Sequence, residues 1–186
     1  MALKIVIAGI GGQGVVFATK VLSQAGMQRG DSVLASENHG MSQRGGSVTS
    51  HLRIGAGNAP LIRRGGADVL VGLDRAEAIR NLTFVRPGGA VYVNSPDGLD
   101  PSLAPRLAEL GIRVHAIDAQ RRAAEIGVPA AANLVLLGFA AAHPNFGIGV
   151  TELEAAVRAL GPATAVEDNL RAIIWKQPPS RAPSAS

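Results

Sequence analysis

The chain has 186 residues, 47% of them hydrophobic, enough to bury a sizeable core within one domain. Its net charge is +4 with the arginines scattered, and aromatic residues make up only 3%, so the basic helix and stacking platform of a nucleic-acid-binding protein are absent. Disulfides and thiolate-held metals are excluded because there is no cysteine. No uninterrupted apolar run approaches ~18 residues, so neither a membrane span nor a signal segment is read, and a cytoplasmic location is expected.

Lys4 to Ala8 is a short apolar run rich in β-branched residues, the pattern of a strand buried on both faces of a parallel sheet. Gly9, Gly11 and Gly14 follow on the G-x-G-x-x-G spacing, with Gly12 and Gln13 between them, and a helix is predicted from Val15 to Met27. Strand, glycine turn and helix in this order make a candidate anion cradle, because the first free N–H groups of the helix face an incoming phosphate or carboxylate. The spacing does not say which anion; dinucleotides, flavins, nucleotides and coenzyme A all carry a suitable pyrophosphate. A turn whose glycines serve only strand–helix packing is the plainer alternative.

Val33-Leu34-Ala35 is a second strand, and Glu37 lies 23 residues past Gly14. A nicotinamide-binding fold places an acidic residue ~20 residues on to hold the ribose hydroxyls, so Glu37 is a candidate for that role. It leads directly into a second glycine-rich segment, His39 to Ser47. There Arg44 supplies a cation, Ser42, Gln43 and Ser47 supply neutral donors, and Gly45-Gly46 permits close backbone approach, as in an anion nest.

Ser47 to Gly55 reads as a strand with Val48, Leu52 and Ile54 on one side and Thr49, His51 and Arg53 on the other, expected to be a solvated face, with ligand or subunit contact as the alternative because they emerge from the Arg44 loop. Asn58 to Gly66 is expected to be a surface loop or a partner-binding edge. Ala67 to Leu73 is a buried strand, after which Asp74 is expected to cap the helix starting at Arg75. Pro87-Gly88-Gly89 is a turn into the strand Ala90 to Asn94; Pro101 to Leu110 is a helix with Gly111 as its stop, and Ile112 to Ile117 is the next strand. The alternation argues for an α/β fold, a three-layer α/β/α Rossmann-like domain with a mainly parallel sheet, spanning residues 1–176. Ligands in such folds collect at the carboxyl ends of the strands, which brings Gly9 to Gly14, Glu37 to Gly46, Asp74 and Asn94-Ser95 to one rim.

The last third is helical. Ala130 to His143 is very apolar and is expected to meet a partner. Asn133 at its head is read either as an N-cap or as a ligand contact. Thr151 to Glu154 resembles a capped helix start, and Thr164 to Trp175 forms a final helix with Trp175 at a packing or subunit contact. Residues 177–186 are Pro/Ser-rich and are expected to be a flexible tail.

Three segments together carry a family resemblance: Gly-x-Gly-Gly-Gln-Gly-Val from Gly9, Gly-Met-Ser-Gln-Arg-Gly-Gly-Ser-Val from Gly40, and Ser50-His51-Leu52-Arg53-Ile54-Gly55. They resemble the γ-type subunits of 2-oxoacid:ferredoxin oxidoreductases, with the indolepyruvate type the nearest branch. The likeness extends over the chain to Trp175, although its strong motifs lie within Gly9–Gly55. In the fused pyruvate enzymes of that family a glycine loop ending in Lys is similar to Gly9 to Lys20. The resemblance implies CoA-dependent oxidative decarboxylation of a 2-oxoacid to an acyl-CoA, with electrons passed to ferredoxin. It places thiamine diphosphate, Mg and the iron–sulfur clusters on partner subunits, and this chain has neither cysteines nor a Gly-Asp-Gly thiamine diphosphate signature.

What the resemblance leaves to this chain is a share of CoA binding and assembly. Gly9, Gly11, Gly12, Gln13, Gly14, Lys20, Ser42, Gln43, Arg44, Gly45, Gly46 and Ser47 are the expected binding residues, and none is expected to be catalytic. Two other readings stay open: a self-sufficient Rossmann-type NAD(P) or FAD protein, and a purely structural assembly subunit.

Overall fold

The computed structural model describes residues 2–39, 45–161 and 163–174. β1 (Leu3–Ile10) crosses the centre of the molecule, and Ile5, Val6, Ile7 and Ala8 are each 0% exposed, as a β-branched run with neighbours on every side requires. Its neighbours belong to a six-stranded sheet with β2 (Val33–His39), β3 (Ser47–Ile54), β4 (Ala67–Gly72), β5 (Val85–Asn94) and β6 (Arg113–Ile117), in the order β2-β3-β1-β4-β5-β6. β4, β5 and β6 run parallel to β1, whereas β3 is antiparallel to both β1 and β2. The sheet is mainly parallel with one reversed strand wedged between β1 and β2.

Helices cover both faces. Ile5, Ile7, Leu52, Val69, Val71 and Tyr92 point into the larger core, against α1 (Val15–Gln28), α4 (Ala119–Glu125), α5 (Ala132–Ala141), α6 (Val150–Leu160) and α7 (Ala163–Ile174). Val6, Ala8, Leu70, Val91 and Val93 point the other way into a smaller core beneath α2 (Arg75–Asn81), α3 (Ala104–Glu109) and Ile62. The alternation along each strand thus feeds two cores and fixes the register, since a slip of one residue exchanges the faces.

Several sequence expectations change here. The face of Thr49, His51 and Arg53 is only partly solvated: Thr49 and Arg53 are half-buried and His51 is only 4% exposed, because Ile62 from the segment after β3 lies over it and donates its N–H to His51 Nδ1 at 3.1 Å. A solvated face and a covered one carry the same alternation, and the covering segment is remote from the pattern. The turn at Pro87-Gly88-Gly89 is a bulge inside β5, where the partner of β4 jumps from Val85 opposite Ala67 to Ala90 opposite Val69. β6 pairs only from Ala90 onward, so that stretch lacks a β6 neighbour and tolerates proline.

α5 is not an exposed docking helix; Leu134, Val135, Leu136 and Leu137 are buried within this chain. Its small residue Gly138 does admit a close neighbour, and the neighbour is α7: a Cβ there would stand 2.2 Å from the Ile173 carbonyl oxygen. α6 starts one residue before the expected Thr151, with Gly149 as N-cap and the Glu152 carboxylate accepting the Gly149 N–H. Trp175 and the tail at 177–186 lie outside the described residues.

Candidate functional site

The carboxyl ends of β1, β4, β5 and β6 open onto one rim. At the end of β1 the chain turns through Gly12 (φ +97°) and Gly14 (φ +81°), both in the left-handed region that only glycine enters cheaply. The Gln13 side chain folds back so that Oε1 accepts the Ile10 N–H at 2.8 Å, and the Gln13 N–H donates to the Ile10 carbonyl at 3.0 Å. Gly9 is needed for a different reason: a Cβ there would come within 2.9 Å of both Gln13 Oε1 and Val15. Gly9 is a packing glycine, while Gly12 and Gly14 shape the turn.

α1 begins at this turn. Its N-cap is Gly14, no side chain caps it and its first turn holds no acidic residue. Among the described residues the first-turn N–H groups therefore lack both an intrahelical acceptor and a side-chain acceptor, and no acidic side chain of that turn offsets the positive end of the helix dipole. Asn133 leans against the turn, donating from Nδ2 to the Gly14 carbonyl at 3.3 Å and accepting the Leu134 N–H at 2.9 Å. It is not the N-cap of α5, a position held by Ala131; it ties the head of α5 to the glycine loop.

The second glycine segment meets the first. Gly11 donates its N–H to the Gly46 carbonyl at 2.9 Å, and Gly45 has φ +75°. Gly9, Gly11, Gly12, Gln13, Gly14, Gly45 and Gly46 are thus gathered at one place, and Lys20 lines a cleft of about 440 Å³ together with Gly11, Gly14 and Val16. The Ser47 hydroxyl donates to Glu77 Oε2 at 2.7 Å, so its proton is committed to the protein. Ser42, Gln43 and Arg44 lie outside the described residues.

A cleft of about 210 Å³ lies on the other side of the turn, lined by Gly12, Gln13, Leu73, Asn94, Gln120 and Asn133 among others. Among the described residues four carboxamides and no ionisable group line it, an arrangement suited to holding and orienting polar atoms. Asn94 is spent on scaffolding, donating to the Leu73 carbonyl at 3.2 Å and accepting the Ala119 N–H at 2.9 Å. Asp74 caps α2 through the Glu77 N–H at 3.0 Å, as its sequence position implies. Gln120 and the segment Pro129–Ala130 also line the cleft, outside every motif of the sequence. The signal was available in Asp118, which caps α4 through the Arg121 N–H at 2.9 Å and so puts the start of α4 at the same rim.

Glu37 is not where a nicotinamide fold needs its acid. It pairs with Ser50 and Ser50 pairs with Ile7, so β3 separates it from β1, and it sits three registers back from Ile10. Two strand steps and three residues are each about 10 Å, too far for a ribose held at the glycine turn.

A family model described as pyruvate ferredoxin/flavodoxin oxidoreductase matches residues 4–174. The indolepyruvate oxidoreductase subunit IorB of Archaeoglobus fulgidus is 36% identical over 186 residues, covering 93% of this chain and 92% of its own. Among solved structures, the γ subunit of a keto/oxoacid ferredoxin oxidoreductase from Geobacter sulfurreducens is 24% identical with a TM-score of 0.72, covering 92% of this chain and 94% of its own. The 2-oxoglutarate:ferredoxin oxidoreductase of Magnetococcus marinus, solved with 2-oxoglutarate, coenzyme A and succinyl-CoA bound, matches at 21% identity and a TM-score of 0.72, over 92% of this chain and 30% of its longer one. Both likenesses are of fold. With a family match across nearly all its length, the chain belongs to the pyruvate ferredoxin/flavodoxin oxidoreductase family, as a subunit of a 2-oxoacid:ferredoxin oxidoreductase.

Proposed function

We propose that this chain is the thiamine-free, cluster-free subunit of an indolepyruvate-type oxidoreductase, and that it holds part of coenzyme A at the glycine turn. The observation that carries the reading is the uncapped start of α1, free of acidic residues, set against the second glycine segment by the Gly11–Gly46 hydrogen bond and flanked by Lys20. The pyrophosphate would lie on the first-turn N–H groups, with Lys20 and Arg44 countering a further phosphate. The Magnetococcus enzyme, solved with coenzyme A bound, supports the ligand class. Thiamine diphosphate, Mg and the iron–sulfur clusters belong to partner subunits on this reading, since thiolate ligation needs cysteines and this chain has none. The role of the chain is to bind and orient CoA for the acyl group made elsewhere in the complex and to complete the assembly.

Calorimetric titration with CoA, NAD, NADP and FAD tests this. CoA alone is expected to bind, and Lys20→Ala or Arg44→Ala to weaken it by about 10- to 100-fold, the loss of one charge-assisted hydrogen bond. In the reconstituted complex the same variants are expected to raise the CoA requirement far more than the 2-oxoacid requirement. Tight NAD(P) or FAD binding, or equal effects on both substrates, would overturn the assignment.

A further inference from the structure

At the opposite end of the sheet, about 20 Å along β1 from the glycine turn at ~3.3 Å per residue, a groove of about 470 Å³ runs between the amino ends of β1 and β5 and the segment after β3. Lys4, Arg53, Arg63 and Arg86 line it. Asp68 neutralises only Arg86, which it meets at 2.6 Å; its second oxygen accepts the Lys4 backbone N–H at 2.8 Å. Among the described residues the Lys4 ammonium, Arg53 and Arg63 have no acidic partner, and Arg53 Nε is buried without any acceptor. The guanidinium is held in place all the same, its stem packed so close to Gly57 that a Cβ there would fall 2.3 Å from Arg53 Cδ. Leu61, at the lip of the groove, is 59% exposed.

We infer that this groove receives an acidic segment of a partner subunit, with a carboxylate set among Lys4, Arg53 and Arg63 and an apolar side chain against Leu61. The inference rests on the subunit reading above. Three cations lining one groove without an acid among the described residues call for a counter-charge, and a carboxylate matches the guanidinium fork. The groove is far larger than one phosphate, and a large aliphatic side chain left in water beside arginines is the composition of a protein interface rather than of a free-anion site. The glycine turn and this groove would then divide the work, substrate at one end of the sheet and partner at the other.

The test uses the full chain and the thiamine diphosphate-bearing subunit, with the Kd of their complex measured at low and high salt. Leu61 and Arg63 are both exposed, so Leu61→Asp and Arg63→Glu leave the core intact, which circular dichroism verifies. Each is expected to raise the Kd at least 10-fold, Arg63→Glu also to flatten its salt dependence, and neither to alter CoA titration of the free chain. Unchanged complex affinity in both variants would overturn the inference while leaving the subunit reading intact. Binding of inorganic phosphate to the free chain that Arg63→Glu abolishes, with the complex unaffected, would overturn it in favour of a small-anion pocket. Failure of the unaltered chain to form any complex would overturn both readings together.

Discussion

His51 shows how one side chain takes its role from what covers it. Its Nδ1 accepts the Ile62 N–H and its ring meets Phe84 edge-on at 5.0 Å, so the unprotonated nitrogen is built into the fold. Burial lowers its pKa below the ordinary 6.5. Between the folded value and 6.5 the unfolded chain binds a proton that the native chain does not. The stabilisation is therefore full above pH 6.5 and is lost as pH falls through the folded value. His115, lowered by burial and then by His143 and Arg113, adds an effect of the same sign. Urea unfolding across this range is expected to show stability rising with pH, and His51→Gln to flatten the rise. His51→Phe, which leaves the Ile62 N–H buried without an acceptor, is expected to cost about 1–3 kcal/mol; an unchanged unfolding free energy would refute the role. Motif residues fared differently. The positive φ of Gly12 and Gly14 and the cap at Asp74 follow from residue type and local order, whereas the commitment of Ser47 to Glu77 depends on a helix 30 residues away.

Among the elements, strands are more legible in the sequence than the surroundings of helices. A buried parallel strand such as β1 or β4 is a continuous apolar run between turn signals, and nothing else in a chain of this composition reads that way. α5 is just as apolar, but apolarity alone does not say whether the partner of a helix is its own chain or another. The structure answers with α7, which reaches Gly138 so closely that a Cβ has no room. Gly138→Ala is accordingly expected to cost about 1–3 kcal/mol through overpacking, despite the better helix propensity of alanine. Hydrogen exchange is expected to show protection lost first in α7, with the β1–β4 ladder retained. A gain in stability, as propensity alone implies, would mean that α7 does not pack there.

For the whole molecule, the consequential feature is the strand order. Insertion of reversed β3 between β1 and β2 removes Glu37 from the glycine turn and brings the second glycine segment to it instead, so that a dinucleotide-like beginning ends as two glycine loops meeting at one place. Charge acts at this scale too. With a net charge of +4 and cations at both ends of the sheet, CoA binding at the rim is expected to weaken as ionic strength rises from about 0.05 to 0.5 M, where the screening length falls well below 10 Å. Insensitivity to salt would argue against phosphate contacts. The amino-acid sequence by itself determined the three-layer α/β class, the two glycine loops and the family, because hydrophobic period, turn chemistry and motif spacing are local properties of the chain. Only the tertiary structure decided that β3 runs backwards beside β1, that Asn133 and Gln120 face the glycine turn, and that cations with no acidic partner among the described residues gather at the far end of the sheet. Those facts depend on contacts between residues distant in sequence, and such contacts are fixed when two cores are filled at once.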